Sequence, residues 1–297
     1  MNNKEKSPVW FYPVCILLVA LIAVFVAVGV NSVNPQTEPI SEASTPVEEP
    51  TQTPKPMPDI PPAAEENDLL AIATKAQGSE EKICYLTFDD GPTKEVTPAV
   101  LDVLKEKDVK ATFFLLGKMI TANGEIAKRA HKEGHLLANH TYSHVYKELY
   151  ASGESFMAEI NKTHALIREI TGEEPFRLIR FPGGGQNNGG SYCEEKQQYK
   201  LLLKQHGYYF ADWNALNGDA EASGTRTVSE LLNRMRQTSG PKNIVVLMHD
   251  AATKKTTAEA LPAMIDQLRG EGYVFKRLDE IKYYGGENVK TAPDMTL

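Results

Sequence analysis

Two neighbouring carboxylates form the first of four polar clusters whose residue types can do chemistry. Asp89 and Asp90 are followed directly by Gly91-Pro92. Adjacent residues inside a strand face opposite ways, so the two side chains can share one site only where the chain turns, and Gly91-Pro92 supplies such a turn. The alternative interpretation is a solvated Asp-Asp-Gly turn of the kind found in any protein.

A pair of histidines, His140 and His144, forms the second cluster. Histidines four residues apart lie on one helical face and can chelate one metal ion. His131 and His135 have the same spacing, but they straddle Gly134 at the predicted end of a helix, where imidazoles complement the macrodipole. The His140/His144 pair lacks the glutamate of the His-Glu-x-x-His zinc protease motif, which argues against a peptidase of that class.

The remaining two clusters are the segments Arg180–Gly185 and Leu247–Asp250. An arginine at the tip of a buried strand needs an anion, and Asp89 or Asp90 is the natural partner. The glycines that follow it allow backbone N–H groups to approach a ligand closely, although a glycine-rich surface loop is the alternative. His249 ends an apolar run, and a single histidine in such a place is more often structural than catalytic.

Strands and helices alternate from residue 80 onward and must bring these clusters together. Apolar runs of strand length alternate with amphipathic helical patterns in units of roughly 30 residues, which indicates βαβ crossovers and a parallel sheet. The predicted strands are Ile83–Phe88, Ala111–Leu116, Leu136–Asn139, Leu178–Phe181, Tyr208–Trp213, Ile244–His249 and Val274–Arg277. We therefore predict an α/β fold, a distorted (β/α) barrel with about seven parallel strands, whose reactive side chains gather at the carboxyl ends of the strands.

The overall composition is that of a globular protein with an acidic balance. The 297 residues carry 32 Lys+Arg and 39 Asp+Glu, a formal net charge of -7. A nucleic-acid binder would normally show a basic face, so nucleic acid is not an expected partner. Three cysteines exclude a disulfide framework and a zinc site built from thiolates.

The N-terminal residues predict a membrane anchor. Residues 13–30 are apolar and uncharged, and with the aromatic residues just before them they reach the roughly 20 residues that cross a bilayer. Lys4 and Lys6 precede this run, so we predict cytoplasmic residues 1–12 and a transmembrane signal-anchor over 13–30. A cleaved signal peptide is the alternative.

Composition divides the rest of the chain into three parts. Residues 31–78 are rich in Pro, Thr and Glu and predict a disordered linker, whose last third has a weak helical pattern. Residues 79–285 contain the predicted barrel, and residues 286–297 form a short polar tail.

Taken in order, the four clusters resemble the motifs of one known family. The series is Thr-Phe-Asp-Asp-Gly-Pro, His-x-x-x-His, Arg-Phe-Pro-Gly-Gly and Leu-Met-His-Asp. It is similar to the polysaccharide deacetylases, whose catalytic unit is called the NodB-homology domain, and the resemblance covers about residues 82–280. It implies a metal-dependent hydrolase that removes N-acetyl groups from a glycan, and it makes residues 79–285 a catalytic domain.

The resemblance also implies a metal site and two residues that transfer protons. One divalent ion, zinc first with cobalt, nickel or manganese as alternatives, would be bound by Asp90, His140 and His144. Asp89 is implied as the general base that activates water, and Arg180 as the residue that orients it. His249 is implied as the general acid that protonates the departing amine.

Further residues are implied around this centre. Asp219 matches the aspartate that tunes the catalytic histidine, and the Gly183 N–H would complete an oxyanion hole. Leu247 would lie beside the acetyl methyl group, while Trp213 would line the sugar groove or belong to the core. Ala220 stands where the family commonly has a tryptophan, which leaves the shape of the sugar pocket open.

The predicted anchor indicates the substrate and the location. A catalytic domain held outside the membrane would reach acetylated cell-wall polysaccharide, with N-acetylglucosamine of peptidoglycan as the first choice. N-acetylmuramic acid, chitin-like oligomers and poly-N-acetylglucosamine are alternatives, as are xylan-type O-acetyl esters. A non-catalytic glycan-binding module is the alternative of another class, but binding alone would need neither Asp89 nor His249. We therefore expect a single-pass protein of the cell membrane with an extracellular catalytic domain.

Overall fold

The computed structural model describes residues 67–75, 81–185, 193–221, 224–284 and 289–291, with the backbone alone for 193–195, 282–284 and 289–291. The predicted cytoplasmic segment, the transmembrane segment 13–30 and most of the predicted linker lie outside these residues. Among the helices that the structure does describe, none is long and apolar enough to cross a bilayer.

Parallel strands and connecting helices make up the domain. The strands are β1 (Lys82–Asp89), β2 (Thr112–Leu115), β3 (Leu136–Asn139), β4 (Leu178–Ile179), β5 (Tyr209–Phe210), β6 (Ala215–Leu216), β7 (Asn243–His249) and β8 (Tyr273–Phe275). The helices are α1 (Leu69–Lys75), α2 (Val96–Glu106), α3 (Gly117–Lys132), α4 (Tyr146–Leu149), α5 (Gly153–Thr171), α6 (Cys193–Gln205), α7 (Val228–Thr238) and α8 (Lys255–Gly270). An antiparallel pair, β9 (Lys282–Tyr284) and β10 (Val289–Thr291), follows, so part of the predicted tail 286–297 is a strand.

The strands β1 to β8 form one curled parallel sheet. Its order is β5-β4-β3-β2-β1-β7-β6, with β8 beside the start of β1. This confirms the predicted parallel α/β architecture. The sequence analysis does not predict β6, because Ala215–Leu216 is flanked by Asn214 and Asn217 and so forms no apolar run of strand length. The register sets Asp89 beside His249 in β7 and Phe114 in β2, so the strand ends that carry the polar clusters meet at one edge of the sheet.

Alternation along β1 determines which side chains face the barrel interior. Every second residue of Cys84–Phe88 packs outward against the apolar faces of α2 and α8. Tyr85 packs instead in the inner apolar cluster. Because side chains alternate with a period of two, Thr87 and Asp89 also point inward, and both are buried. The local pattern of β1 therefore places Asp89 in the mouth of the barrel.

The predicted linker ends earlier than its range 31–78 implies. Helix α1 buries Leu69 and Ile72 in the inner cluster, at the amino ends of the strands. The Asn243 side chain, at the start of β7, donates a hydrogen bond to the Ala73 carbonyl oxygen at 2.7 Å. The curled sheet would otherwise expose its apolar interior at this end, and α1 covers it.

Candidate active site

Asp89 and Arg180 form a buried ion pair at the mouth of the barrel. The Arg180 Nη1 atom lies 2.9 Å from Asp89 Oδ1, and the arginine is completely buried. Its Nη1 also donates to the Thr87 hydroxyl at 2.6 Å, and its Nε donates to the Ala211 carbonyl oxygen at 2.9 Å. The guanidinium lies 4.2 Å from the centroid of the Phe114 ring. These contacts fix the guanidinium, which in turn holds the Asp89 carboxylate in one orientation.

Asp90, His140 and His144 come together beside this pair. One candidate ligand atom from each lies within 4.8 Å of the others, and Asp90 Oδ1 is 3.7 Å from the Nε2 atom of either imidazole. The His140 Nδ1 atom donates to the Arg180 carbonyl oxygen at 2.8 Å, so in the neutral ring Nε2 keeps its lone pair for a metal. Burial, together with the nearby His140, lowers the pKa of His144, which also favours a neutral ring. One carboxylate and two imidazoles suit a catalytic divalent cation.

The loop that carries these histidines is held by two helices and is not itself helical. The first two amides of α3 donate to the carbonyl oxygens of Thr141 and Tyr142 at 3.0 and 3.1 Å. The Glu159 carboxylate, on α5, accepts from the amides of Tyr142 and Ser143 at 2.9 and 2.7 Å. The backbone at His144 is left-handed, with φ 59. The expectation of a shared helical face is therefore wrong, although the two imidazoles do meet.

His249, at the end of β7, is hydrogen-bonded to Asp219. The His249 Nδ1 atom lies 2.8 Å from Asp219 Oδ1, while the His249 amide and the Thr257 hydroxyl donate to Oδ2 at 2.9 and 2.8 Å. Burial alone would lower the pKa of His249, but the hydrogen bond and charge of Asp219, with the charges of Asp89 and Asp90, raise it to about 9. At neutral pH the imidazole is therefore protonated and Nε2 has a proton to donate.

The glycine loop that follows β4 is built around side chains from other segments. Gly183 and Gly184 have φ 73 and 78, the left-handed region that favours glycine. A β-carbon on Gly183 would lie 2.6 Å from the Tyr146 hydroxyl oxygen, and one on Gly184 would lie 2.9 Å from the Trp213 ring. Lys196, buried on α6, donates to the Gly184 carbonyl oxygen at 2.5 Å. The loop is therefore a packed wall of the site.

The other predicted residues line the same mouth. Leu247 lies two residues before His249 on β7, so alternation puts both on the inner face, and Leu247 is half-buried. Trp213 is also half-buried, with its ring 5.7 Å from the Arg180 guanidinium. Ala220, in the place of the family's tryptophan, is exposed. Every predicted site residue thus lies at the carboxyl edge of the sheet.

Two further residues of the site are not singled out by the sequence analysis. Asp250 is completely buried beside Gly91, where a β-carbon would collide with its carboxylate, and so it shapes the turn that carries the two aspartates. It accepts a hydrogen bond from the Thr97 hydroxyl at 2.6 Å, and burial raises its pKa to about 7. Tyr146 lies edge-on against the His144 ring at 5.6 Å. Asp250 could have been identified from the sequence, because it directly follows the motif residue His249. No pattern of residue spacing points to Tyr146.

The second histidine pair lies outside the site. His135, just before β3, is buried and accepts a hydrogen bond from the Ala111 amide at 3.2 Å. Burial, with nearby positive charges, lowers its pKa to about 4. His135 is therefore neutral at ordinary pH, so it adds no positive charge at the end of α3, contrary to the macrodipole interpretation.

Comparison with known proteins gives the family. The sequence model of the family described as polysaccharide deacetylase matches residues 76–208. YheN of Bacillus subtilis (strain 168), a putative polysaccharide deacetylase, is 35% identical over 218 residues, which cover 72% of this chain and 73% of that protein. A peptidoglycan-N-acetylglucosamine deacetylase of Bacillus cereus is 31% identical over 221 residues, 71% of this chain and 74% of that protein.

A solved structure agrees with these matches. The catalytic domain of peptidoglycan N-acetylglucosamine deacetylase from Eubacterium rectale aligns with a TM-score of 0.62 and 30% identity, over 71% of this chain and 96% of that one. Fold, sequence and the order of the motifs lead to one conclusion. This chain belongs to the polysaccharide deacetylase family.

Proposed function

We propose that this protein removes N-acetyl groups from N-acetylglucosamine residues of peptidoglycan. The observation that carries the proposal is a pair of proton-transfer residues around the Asp90/His140/His144 cluster: Asp89 held by Arg180, and His249 held by Asp219. Relatives named as peptidoglycan-N-acetylglucosamine deacetylases support the choice of sugar.

A divalent cation fits the cluster and belongs to this proposal. Asp90, His140 and His144 would hold it, with zinc as the first candidate and cobalt, nickel or manganese as alternatives. Lewis-acid activation of water and of the acetyl carbonyl is the chemistry that such an ion supplies when it is bound.

Amide hydrolysis requires one proton to leave water and one to reach the amide nitrogen. Asp89 accepts the proton from water, because its carboxylate is fixed by Arg180 next to the cluster. His249 donates its Nε2 proton to the nitrogen as the C–N bond breaks, while Asp219 holds Nδ1. The Gly183 N–H would stabilise the negative charge on the acetyl oxygen. The products are acetate and a free amino sugar.

Two other functions compete with this one. An O-acetyl (xylan-type) esterase or a chitooligosaccharide deacetylase would use the same residues on another substrate. A catalytically inactive glycan-binding module would use the mouth of the barrel alone. Binding would need neither the Asp89–Arg180 pair nor the Asp219–His249 pair, and burying such charges carries a desolvation cost. Their presence favours an enzyme.

Acetate release tests the activity and the substrate together. Purified protein would be given peptidoglycan, N-acetylglucosamine oligomers and acetylated xylan, with and without chelator. We expect release from peptidoglycan that stops with chelator, and a loss of at least about 100-fold in Asp89→Asn. Asp266→Asn, at an exposed carboxylate, is the matched control. Release only from xylan, or a fully active Asp89→Asn, would contradict the proposal.

We also propose that the domain acts outside the cell on a membrane anchor formed by residues 13–30. The uncharged run preceded by Lys4 and Lys6 supports this location. Protease added to intact cells should then remove the domain from the cell pellet. Protection in intact cells, with digestion only after lysis, would contradict it.

A further inference from the structure

Tyr146 is a phenol in the site to which the proposed function gives no role. It begins α4, two residues after His144, and its ring meets that imidazole edge-on, with centroids 5.6 Å apart and an interplanar angle of 88°. On its other side the ring packs against Tyr150 at 5.9 Å. Tyr146 is half-buried, so part of its side chain remains accessible to solvent.

The Tyr146 hydroxyl lies against the backbone of Gly183. It is 2.6 Å from the position that a β-carbon on Gly183 would occupy. Standard bond lengths then place the hydroxyl oxygen within about 5 Å of the Gly183 amide nitrogen. Gly183 therefore leaves room for the phenol, and the two hydrogen-bond donors are neighbours within that distance.

The position of Gly183 is itself fixed. The Tyr150 hydroxyl donates to the Pro182 carbonyl oxygen at 3.2 Å, and Lys196 donates to the carbonyl oxygens of Pro182 and Gly184. Buried side chains thus hold the peptide before Gly183 and the peptide after Gly184, and the Gly184 amide between them donates to the Phe181 carbonyl oxygen at 2.8 Å. Donors that are already in place stabilise a developing charge without reorganisation.

We propose that the Tyr146 hydroxyl donates a hydrogen bond to the acetyl oxygen as negative charge develops on it, beside the Gly183 amide. This inference rests on the proposed function, because it names a donor for that reaction. The Tyr146 ring contacts His144 and its hydroxyl lies against Gly183, and the proposal requires the acetyl oxygen to lie between the two donors when the carbonyl is attacked near Asp89 and Asp90. Tyr146 keeps its proton throughout, so the balance of the hydrolysis is unchanged.

The test removes the hydroxyl alone. Tyr146→Phe is compared with Tyr273→Phe, whose hydroxyl bonds Pro241 at the amino end of the sheet. We expect Tyr146→Phe to lower kcat by about 100-fold with KM and bound zinc unchanged, the effect of losing one oxyanion donor. Tyr273→Phe should keep the parent kcat.

Each other outcome has a defined meaning. An unchanged kcat overturns the inference, as does a raised KM at constant kcat, which would make Tyr146 a ground-state sugar contact. Loss of zinc overturns it too, because the ring would then act through His144. A parent protein that releases no acetate from any substrate would instead refute the proposed function.

A second variant tests the proximity of the two donors. Gly183→Ala adds the β-carbon that collides with the Tyr146 hydroxyl. The substitution should lower kcat by a larger factor in the parent than in Tyr146→Phe, where no hydroxyl remains to be displaced. Equal factors in the two backgrounds would overturn the inference.

Discussion

Replacing Asp219 by asparagine should lower the pKa of the His249 imidazole. In the structure Asp219, helped by the charges of Asp89 and Asp90, outweighs burial and raises the pKa of His249 to about 9, against 6.5 for a free imidazole. One pH unit corresponds to about 1.36 kcal/mol, so the protonated ring is stabilised by about 3 kcal/mol. Asp219→Asn keeps the shape of the side chain but removes its charge, so the pKa of His249 should fall well below 9, because burial continues to lower it and the main opposing charge is gone.

The titration can be followed by NMR on protein labelled at histidine. Chelator-treated protein is used, so that no bound ion adds positive charge to the site, and His249→Gln assigns the resonance. Glu174→Gln is the matched control, because Glu174 also bonds a histidine, His164, at 3.0 Å but outside the site. It should leave the pKa of His249 unchanged.

Unfolding provides an independent measurement of the same linkage. A pKa that is raised in the folded state stabilises the fold below pH 6.5, and this stabilisation is lost as the pH rises through 9. The difference in unfolding free energy between parent and Asp219→Asn should therefore shrink by about 3 kcal/mol across that range. A parent imidazole that titrates near 6.5, or an equal pKa in Asp219→Asn, would refute the reasoning.

Three other perturbations have defined outcomes. His144→Ala should purify with its metal largely missing by elemental analysis, whereas His131→Ala should keep it; equal metal contents would remove His144 as a ligand. Leu69→Ala should lower the free energy of unfolding, measured in urea, by about 2–5 kcal/mol, because Leu69 is buried. The control Leu201→Ala, at an exposed leucine, should lower it by less than about 0.5 kcal/mol. Equal losses in the two variants would show that α1 does not stabilise the domain. The pKa of His135 is lowered to about 4, so the free energy of unfolding should fall by up to about 3 kcal/mol as the pH falls from 6.5 to 4. His135→Gln should abolish that loss. The same dependence of unfolding free energy on pH in parent and variant would contradict this reasoning.

The positions of Asp89 and His249 follow from local sequence pattern. Alternation along β1 turns Asp89 into the barrel, and the turn at Gly91-Pro92 ends the strand there. The same alternation along β7 turns His249 inward. Parallel pairing then brings the two residues side by side, so strand period was sufficient to predict where they lie, whereas their proposed roles came from the resemblance to the family.

The rest of the site depends on contacts between distant segments. His140 and His144 were predicted as ligands from their spacing and from the family resemblance. Their loop takes its shape from Glu159 and the start of α3, and it is not helical. Tyr146 and Gly183 belong to different loops, and only the folded chain shows that they touch. Such packing contacts leave no periodic signal in a single sequence.

The covered end of the barrel also determines where a mechanical load would enter the domain. The Asn67 side chain donates to the Tyr208 carbonyl oxygen at 3.1 Å, and the Asn67 carbonyl oxygen accepts from the Phe210 amide at 3.0 Å. Phe210 in turn pairs with Ile179 of β4, so the chain at Asn67 is attached to the edge of the sheet. A pull on the chain ahead of Asn67 would therefore first load these two hydrogen bonds to the β5 segment, and then α1, whose Leu69 and Ile72 are buried in the inner cluster.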